Sequence, residues 1–300
     1  MDLHAHIDRK RLAQLLTIAR EEDLGIHGDL TSRLLPEAVL NAQARWEITP
    51  RRPGRFCSRA LVPLLLESLA PEVRCEWIDS GPDTADLEPG KPVARLLGNT
   101  GQMLAAERTL LNILQHLSGV ATLTARFVAA VAGTHAKIYD TRKTTPGLRD
   151  LEKYAVRVGG GHNHRLGLYD AILLKDNHLA GIPVNRLAHA VFDMLNRVPH
   201  LPAKPAFVEV ECDGLDQFAE LLKVVGIDVI LLDNFALGDL RAAVRMRDDA
   251  GLHGKVELEA SGEARLETVR LLADTGVERV AVGAITHSAP ILDIGLDAVS

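Results

Sequence analysis

The sequence is poor in cysteine. Only Cys57, Cys75 and Cys212 occur among 300 residues, and no CxxC pair is present. An odd, scattered set excludes a disulfide framework and a zinc knuckle, and it fits reduced thiols in a cytoplasmic protein. Net positive charge is missing too: 34 basic residues against 40 acidic ones leave −6. No whole-protein nucleic-acid or acidic-membrane surface is therefore expected. No apolar run is long enough to span a bilayer; the stretch from Leu221 to Leu232 is broken by Lys223, Gly226 and Asp228. The start, Met1-Asp2-Leu3-His4, lacks the basic and then apolar pattern of a signal peptide. There is no fixed-period repeat and no low-complexity segment. What remains is ordinary globular composition, 47% hydrophobic and 25% charged, with room for two domains or one large barrel.

The apolar periodicity predicts a helix over 8–22, with Leu12, Leu15, Leu16 and Ala19 on one face. Residues 41–100 are short pieces punctuated by Thr49-Pro50, Pro53-Gly54, Gly81-Pro82 and Pro89-Gly90. Within them Trp46-Glu-Ile and Pro92 to Leu97 read as strands, and Arg59 to Leu69 as a helix, which suggests a small α+β domain. A helix over 103–117 carries the stripe Leu110, Ile113, Leu114 and Leu117, with Arg108, Asn112 and Gln115 opposite. A second helix is expected over 120–131, ending before Gly133.

From there short apolar strands alternate with helices. The strands are Lys137-Ile-Tyr-Asp, Ala171-Ile-Leu-Leu-Lys, Phe207-Val-Glu-Val-Glu, Val229-Ile-Leu-Leu-Asp, Val256-Glu-Leu-Glu-Ala and Val280-Ala-Val-Gly. Helices are expected over 186–196, 215–225, 237–249 and 263–275. This alternation implies parallel strands with helical crossovers, hence a closed or nearly closed α/β barrel, with an open doubly wound sheet as the competitor.

In such barrels the chemistry sits at the C-terminal strand ends. Read in order, these ends are Asp140-Thr-Arg142-Lys143, Lys175-Asp176-Asn177-His178, Glu211, Asp233-Asn234, Ser261-Gly262 and Gly283-Ala284. Strands must leave the core somewhere, which explains one or two polar exits, but Lys175, Glu211 and Asp233 each follow directly on an apolar run. The set divides chemically. Arg142, Lys143, His164, Arg165 and Lys175 are cationic and suit a multiply anionic substrate. Glu211 and Asp233 suit Mg²⁺ or sugar hydroxyls. Gly262, Gly283 and Ala284, near His287, resemble a barrel phosphate site.

Other features carry less. Gly159-Gly160-Gly161 reads as a flexible turn, because no strand precedes it as a dinucleotide fingerprint requires. His162, His164 and His178 lack a clear fourth metal ligand. His4 and His6 read as solvated, Asp8 to Arg11 as an exposed helix start, and no serine has a G-x-S-x-G setting.

Asp140-Thr-Arg-Lys-Thr-Thr-Pro-Gly-Leu-Arg149 closely resembles the quinolinate phosphoribosyltransferase family. So do Gly159 to Leu168, Leu174-Lys-Asp-Asn-His178, Glu209-Val-Glu211, Leu231 to Phe235, Glu257 to Gly262 and Val282 to Ser288. Upstream, Glu22-Asp-Leu-Gly25, Gly28-Asp-Leu-Thr31 and Ala106 to Asn112 also fit, so the resemblance covers nearly the whole chain in order. It implies an N-terminal α/β sandwich domain over 1–117, joined by 290–300, and an open α/β barrel with mostly parallel strands over 118–289. It implies transfer from phosphoribosyl pyrophosphate to quinolinate with loss of CO₂, with Mg²⁺, in a homodimer or a hexamer. Arg108, Arg142, His164, Arg165 and Lys175 would surround the quinolinate carboxylates, with Arg108 reaching the neighbouring subunit's site. Lys143 would lie near the reacting centre. Glu211 and Asp233 would face ribose hydroxyls and the metal. Ser261, Gly262, Gly283, Ala284 and His287 would hold phosphate. One departure is Glu263, where the family often has a small residue, beside the expected phosphate site. The alternatives are a related pyrophosphorylase-like protein associated with molybdenum transport and, in another class, a Schiff-base barrel lyase using Lys175.

Overall fold

A computed structural model describes residues 7–57, 59–78 and 86–299. His4, His6 and the turn expected at Gly81-Pro82 lie outside the described residues. The chain forms two compact units: residues 1–125, 145–160 and 288–300 make the first, and residues 126–144 and 161–287 the second. One helix, Thr100–Ala130, runs unbroken across 117/118, where two helices were expected. Gly119 does not interrupt it. A Cβ there would stand 2.1 Å from the Pro290 carbonyl oxygen, so the glycine serves a close approach of backbone to helix.

The first unit is built on strands β1 (Gln43–Pro50), β2 (Gly54–Arg55), β3 (Val73–Trp77), β4 (Asp86–Leu87) and β5 (Ala94–Asn99). The last strand of the chain, β12 (Ile294–Val299), returns to it. The order β12-β1-β5-β3 is antiparallel throughout, and β2 pairs with β4 apart from it. Strand β5 alternates buried Ala94 and Leu96 with half-buried neighbours, the two-residue period of a strand with one covered face. The helix Leu61–Leu69 packs beside β3 and the helix Arg9–Leu24, burying Leu61, Val62, Leu65, Leu66 and Leu69. Strands β2, β3, β4 and β12 have no counterpart in the sequence expectations.

The second unit holds β6 (Lys137–Tyr139), β7 (Ile172–Leu174), β8 (Val208–Cys212), β9 (Val229–Asp233), β10 (Glu257–Ser261) and β11 (Arg279–Ala281). They form one parallel sheet in the order β6-β11-β10-β9-β8-β7, so β6 and β7 are its edges and the barrel is open. His162 covers the free edge of β6: its N–H donates to the Ile138 carbonyl at 2.8 Å and its carbonyl accepts from Asp140 at 3.0 Å. Crossover helices are Val184–Leu195, Leu215–Leu221 and Leu237–Asp249. The helix expected over 263–275 shrinks to Val269–Ala273, because the backbone leaves β10 through Gly262 at φ +131°, a left-handed turn that starts a loop.

Register explains the interior. Paired residues of a parallel sheet share a face, and so do residues two apart along a strand. Glu211 pairs with Leu231, Glu259 with Leu231, and Arg279 with Glu259. Hence Glu209, Glu211, Asp233, Glu259, Ser261 and Arg279 share one face of the sheet. Glu209 and Glu259 are fully buried. Burial, reinforced by Glu209 and opposed by His164 and Arg279, pushes the Glu259 carboxyl up to about 8. The native state therefore keeps a proton that the unfolded chain releases near its ordinary value. Between those two values stability falls as pH rises, by about 1.4 kcal/mol per pH unit for such a group. Glu259→Gln should flatten the fall in denaturant stability between pH 5 and 8; an unchanged profile would contradict this account.

Candidate functional site

The site assembles from loops at the C-terminal ends of the parallel strands. Beyond β6, the Lys143 N–H donates to Thr141 Oγ1 at 3.0 Å. Its carbonyl accepts from Thr286 Oγ1 at 2.7 Å, and the same hydroxyl lies 3.0 Å from the Gly283 carbonyl. Thr286 is buried and ties the β6 loop to the short helix Ala284–His287. Sequence reading gave it no role. A Cβ on Gly283 would meet both Lys143 Cδ and His287 Nε2 at 3.1 Å. The structure thus brings Lys143, Gly283, Ala284 and His287 together, and glycine keeps the backbone between them open to an approaching group.

The next loop is anchored by carboxylates. Asp140, fully buried, accepts from the His164 N–H at 2.8 Å and from Asn163 Nδ2 at 2.6 Å. Asp170 accepts from the Leu166 and Gly167 N–H groups at 2.7 and 2.8 Å. Between these anchors sits Arg165, 7% exposed. Its guanidinium donates to the Ala171 carbonyl at 3.4 Å, and no carboxylate pairs with it among the described residues. Burial, then the charge of Arg142, pushes its pKa down, against the opposing pull of Glu209 and Asp170. A buried cation pressed by a second cation favours an incoming anion.

His164 is placed otherwise than expected. Its ring is buried, Nε2 lies 2.7 Å from Glu209 Oε2, and Nδ1 accepts the Arg165 N–H at 2.8 Å. Both ring nitrogens are engaged inside the protein, so the ring does not offer itself to a substrate carboxylate in this arrangement.

On the next strands, Lys175 forms an ion pair with Glu211, which is 6% exposed. The cationic and acidic halves of the set therefore meet at this pair. His178, exposed, accepts the Lys175 N–H on Nδ1 at 2.9 Å and so caps the turn after β7. Asp233 ends β9 and accepts from Asn234 Nδ2 at 2.8 Å. Asn234 has φ +55°, the only positive φ outside glycine among the described residues. Its N–H donates to the Ser261 carbonyl at 2.9 Å, and a Cβ on Gly262 would strike its Oδ1 at 2.6 Å. These contacts lock the ends of β9 and β10 together. Glu263, the departure noted in the sequence, is exposed and pairs with Arg265 at 2.6 Å. It lies in a loop and not in the first turn of a helix.

Arg108 belongs to the first unit, exposed on the helix Thr100–Ala130. His162 stacks on Tyr139, at 5.2 Å between ring centres, so the three histidines weighed as metal ligands have separate tasks. Among the described residues, the cluster with metal-ligand chemistry is instead His164, Glu209 and Glu259, whose ligand atoms lie within 4.8 Å of one another. Sequence reading missed both glutamates. The two-residue spacing Glu209/Glu211 and Glu259/Ser261 was the available clue, since it puts each on the face of a recognised site residue. No helix among the described residues is long and apolar enough to cross a membrane.

Comparison with known proteins agrees with this geometry. The N-terminal domain of quinolinate phosphoribosyl transferase matches residues 29–118, and its C-terminal domain matches residues 120–297. A nicotinate-nucleotide pyrophosphorylase [carboxylating] of Mycobacterium leprae is 42% identical over 93% of this chain and 94% of its own. A probable one from Bacillus subtilis is 36% identical over 96% and 93%. The solved nicotinate-nucleotide pyrophosphorylase of Francisella tularensis superposes with a TM-score of 0.82 at 33% identity, covering 98% of both chains. With both domains matched and relatives aligned over almost their full length, the chain belongs to the quinolinate phosphoribosyltransferase family.

Proposed function

We propose that this chain transfers the phosphoribosyl group of phosphoribosyl pyrophosphate to quinolinate, giving nicotinate mononucleotide, pyrophosphate and CO₂. The observation that carries this reading is Arg165, a buried guanidinium with no carboxylate partner among the described residues and with the like charge of Arg142 acting on it. Such a site favours a multiply anionic ligand. Lys175 adds a third cation at the neighbouring strand end. Its ion pair with Glu211 is unlike the desolvated amine that a Schiff-base lyase needs, which weighs against that alternative.

The chemistry asks for charge and positioning more than for a strong base. The pyridine nitrogen supplies its lone pair to the anomeric carbon, and the bond to pyrophosphate breaks with its electron pair leaving on oxygen. Lys143, beside Gly283 and His287, would meet the departing negative charge. Ser261, Gly262, Gly283 and Ala284 would hold phosphate oxygens. The ring carboxylate next to nitrogen then leaves as CO₂. Its electron pair stays on the ring carbon, stabilised by the adjacent cationic nitrogen, and that carbon takes a proton from water. The protein's part is to hold ring and sugar in line.

Glu211 and Asp233 fit Mg²⁺: they are hard oxygen donors on one sheet face at adjacent strand ends, too few to complete a shell without substrate oxygens and water. Bound there, Mg²⁺ would neutralise charge on the pyrophosphate. Glu211 and Asp233 also remain able to accept from ribose hydroxyls. We read the protein as cytoplasmic, in line with its free cysteines, and as a homodimer in which Arg108 serves the partner's quinolinate. Its exposed place on its own helix supports that reading.

Carboxyl-labelled quinolinate should release CO₂ only when phosphoribosyl pyrophosphate and a divalent cation are present. Arg165→Ala should weaken quinolinate binding by about 2–5 kcal/mol while sparing phosphoribosyl pyrophosphate, read by calorimetry. Normal quinolinate affinity in the folded variant would defeat the assignment. For the shared site, folded Arg108→Ala and Lys143→Ala proteins, each inactive, are to be mixed after dissociation. A mixed dimer holds one doubly defective site and one intact site, so activity should return toward half per heterodimer. Demonstrated mixed dimers without activity would place Arg108 outside the partner's site.

A further inference from the structure

Two carboxyl groups are buried in the barrel wall without full hydrogen bonding: among the described residues, Glu209 Oε1 and both oxygens of Glu259 have no hydrogen-bond partner. Burying such groups is costly, and apolar side chains of similar volume would serve stability as well or better. Their geometry relates them to the site above. Glu209 Oε2 lies 2.7 Å from His164 Nε2, and Glu259 Oε1 lies 3.7 Å from the same atom. On the other side of the ring, Nδ1 receives the Arg165 N–H. A backbone N–H can only donate, so Nδ1 carries no proton and Nε2 must donate to Glu209. That tautomer also decides against a metal ion, since Nε2 has no lone pair to give.

Resting on the function proposed above, we infer that Glu209 is a positioning residue. It holds the His164 ring, and the ring holds the Arg165 backbone, so that the guanidinium is preset for a substrate carboxylate. The chain of contacts is short: carboxylate, imidazole, peptide N–H. Asp140 fixes the same stretch through the His164 N–H at 2.8 Å, and the His164 and Phe207 rings meet at right angles with their centres 5.3 Å apart. The loop therefore has few ways to relax once the Glu209 contact is lost, except by rotating the ring and releasing Arg165.

The test compares Glu209→Gln with Glu209→Leu. Glutamine keeps an oxygen that accepts from Nε2; leucine keeps the volume and removes the acceptor. KM for quinolinate should stay within about threefold for the glutamine variant and rise at least tenfold for the leucine variant, with KM for phosphoribosyl pyrophosphate unchanged. A pure charge effect would move both variants together, toward lower KM, and would overturn the inference. So would an unchanged quinolinate KM in folded Glu209→Leu. If leucine is not accepted in the wall, Glu209→Met removes the same acceptor with a more adaptable side chain. Ring ¹⁵N shifts of His164 give a readout independent of turnover: Nε2 protonated and Nδ1 bare is expected, and the reverse would overturn the strut. Stoichiometric Zn²⁺ binding abolished by Glu259→Gln would overturn it too. An unmodified enzyme that turns over no quinolinate would instead sink the functional reading, with the ring shifts still judging the contact.

Discussion

Arg165 holds a buried positive charge, in the loop before β7, that no carboxylate among the described residues pairs with, and its neighbours are arranged around that fact. Asp140 and Asp170 bracket its loop, spending their oxygens on backbone N–H groups and on Asn163 instead of on the guanidinium. His164 holds its backbone from the side. Arg142 presses on it with like charge. A site built this way is preorganised at Arg165: its loop is held before the anion arrives, and less reorganisation is left for the moment of reaction.

The opposite side shows the complementary restraint. Glu211 lies in the wall with Lys175 across it, while Asp233 is steadied by Asn234 in a left-handed backbone that only a few residue types adopt. Asn234 also joins the end of β9 to Ser261 and Gly262, linking the carboxylate that would serve metal and ribose to the residues that would serve phosphate. Small residues at Gly262 and Gly283 are needed for geometry, since a Cβ at either would collide with, or crowd, a side chain of the site.

Much of this was legible in the sequence. Apolar strands ending in Lys175, Glu211 and Asp233 announced the working end of a parallel barrel, because strand direction and side-chain alternation are local properties. The family resemblance added a substrate to a charge pattern that by itself said only "multiply anionic". Other features depend on contacts between distant segments. Two helices were expected on either side of Gly119, which instead lies inside one helix at a close approach to Pro290. The stretch after Gly262 has helical composition, but the backbone turn at that glycine delays the helix to Val269. Glu209 and Glu259 look like ordinary strand glutamates until register turns them inward beside His164.

The central claim is that the cationic cluster around Arg165 is a dicarboxylate receptor. The direct measurement is calorimetric affinity for quinolinate against nicotinate, the same ring with one carboxylate fewer. If Arg165 and the cations beside it divide two carboxylates between them, the missing carboxylate leaves positive charge unmet, at a cost of about 2–5 kcal/mol, or roughly 30-fold or more in affinity. The account predicts that nicotinate binds at least that much more weakly. Equal affinity for the two acids would contradict it.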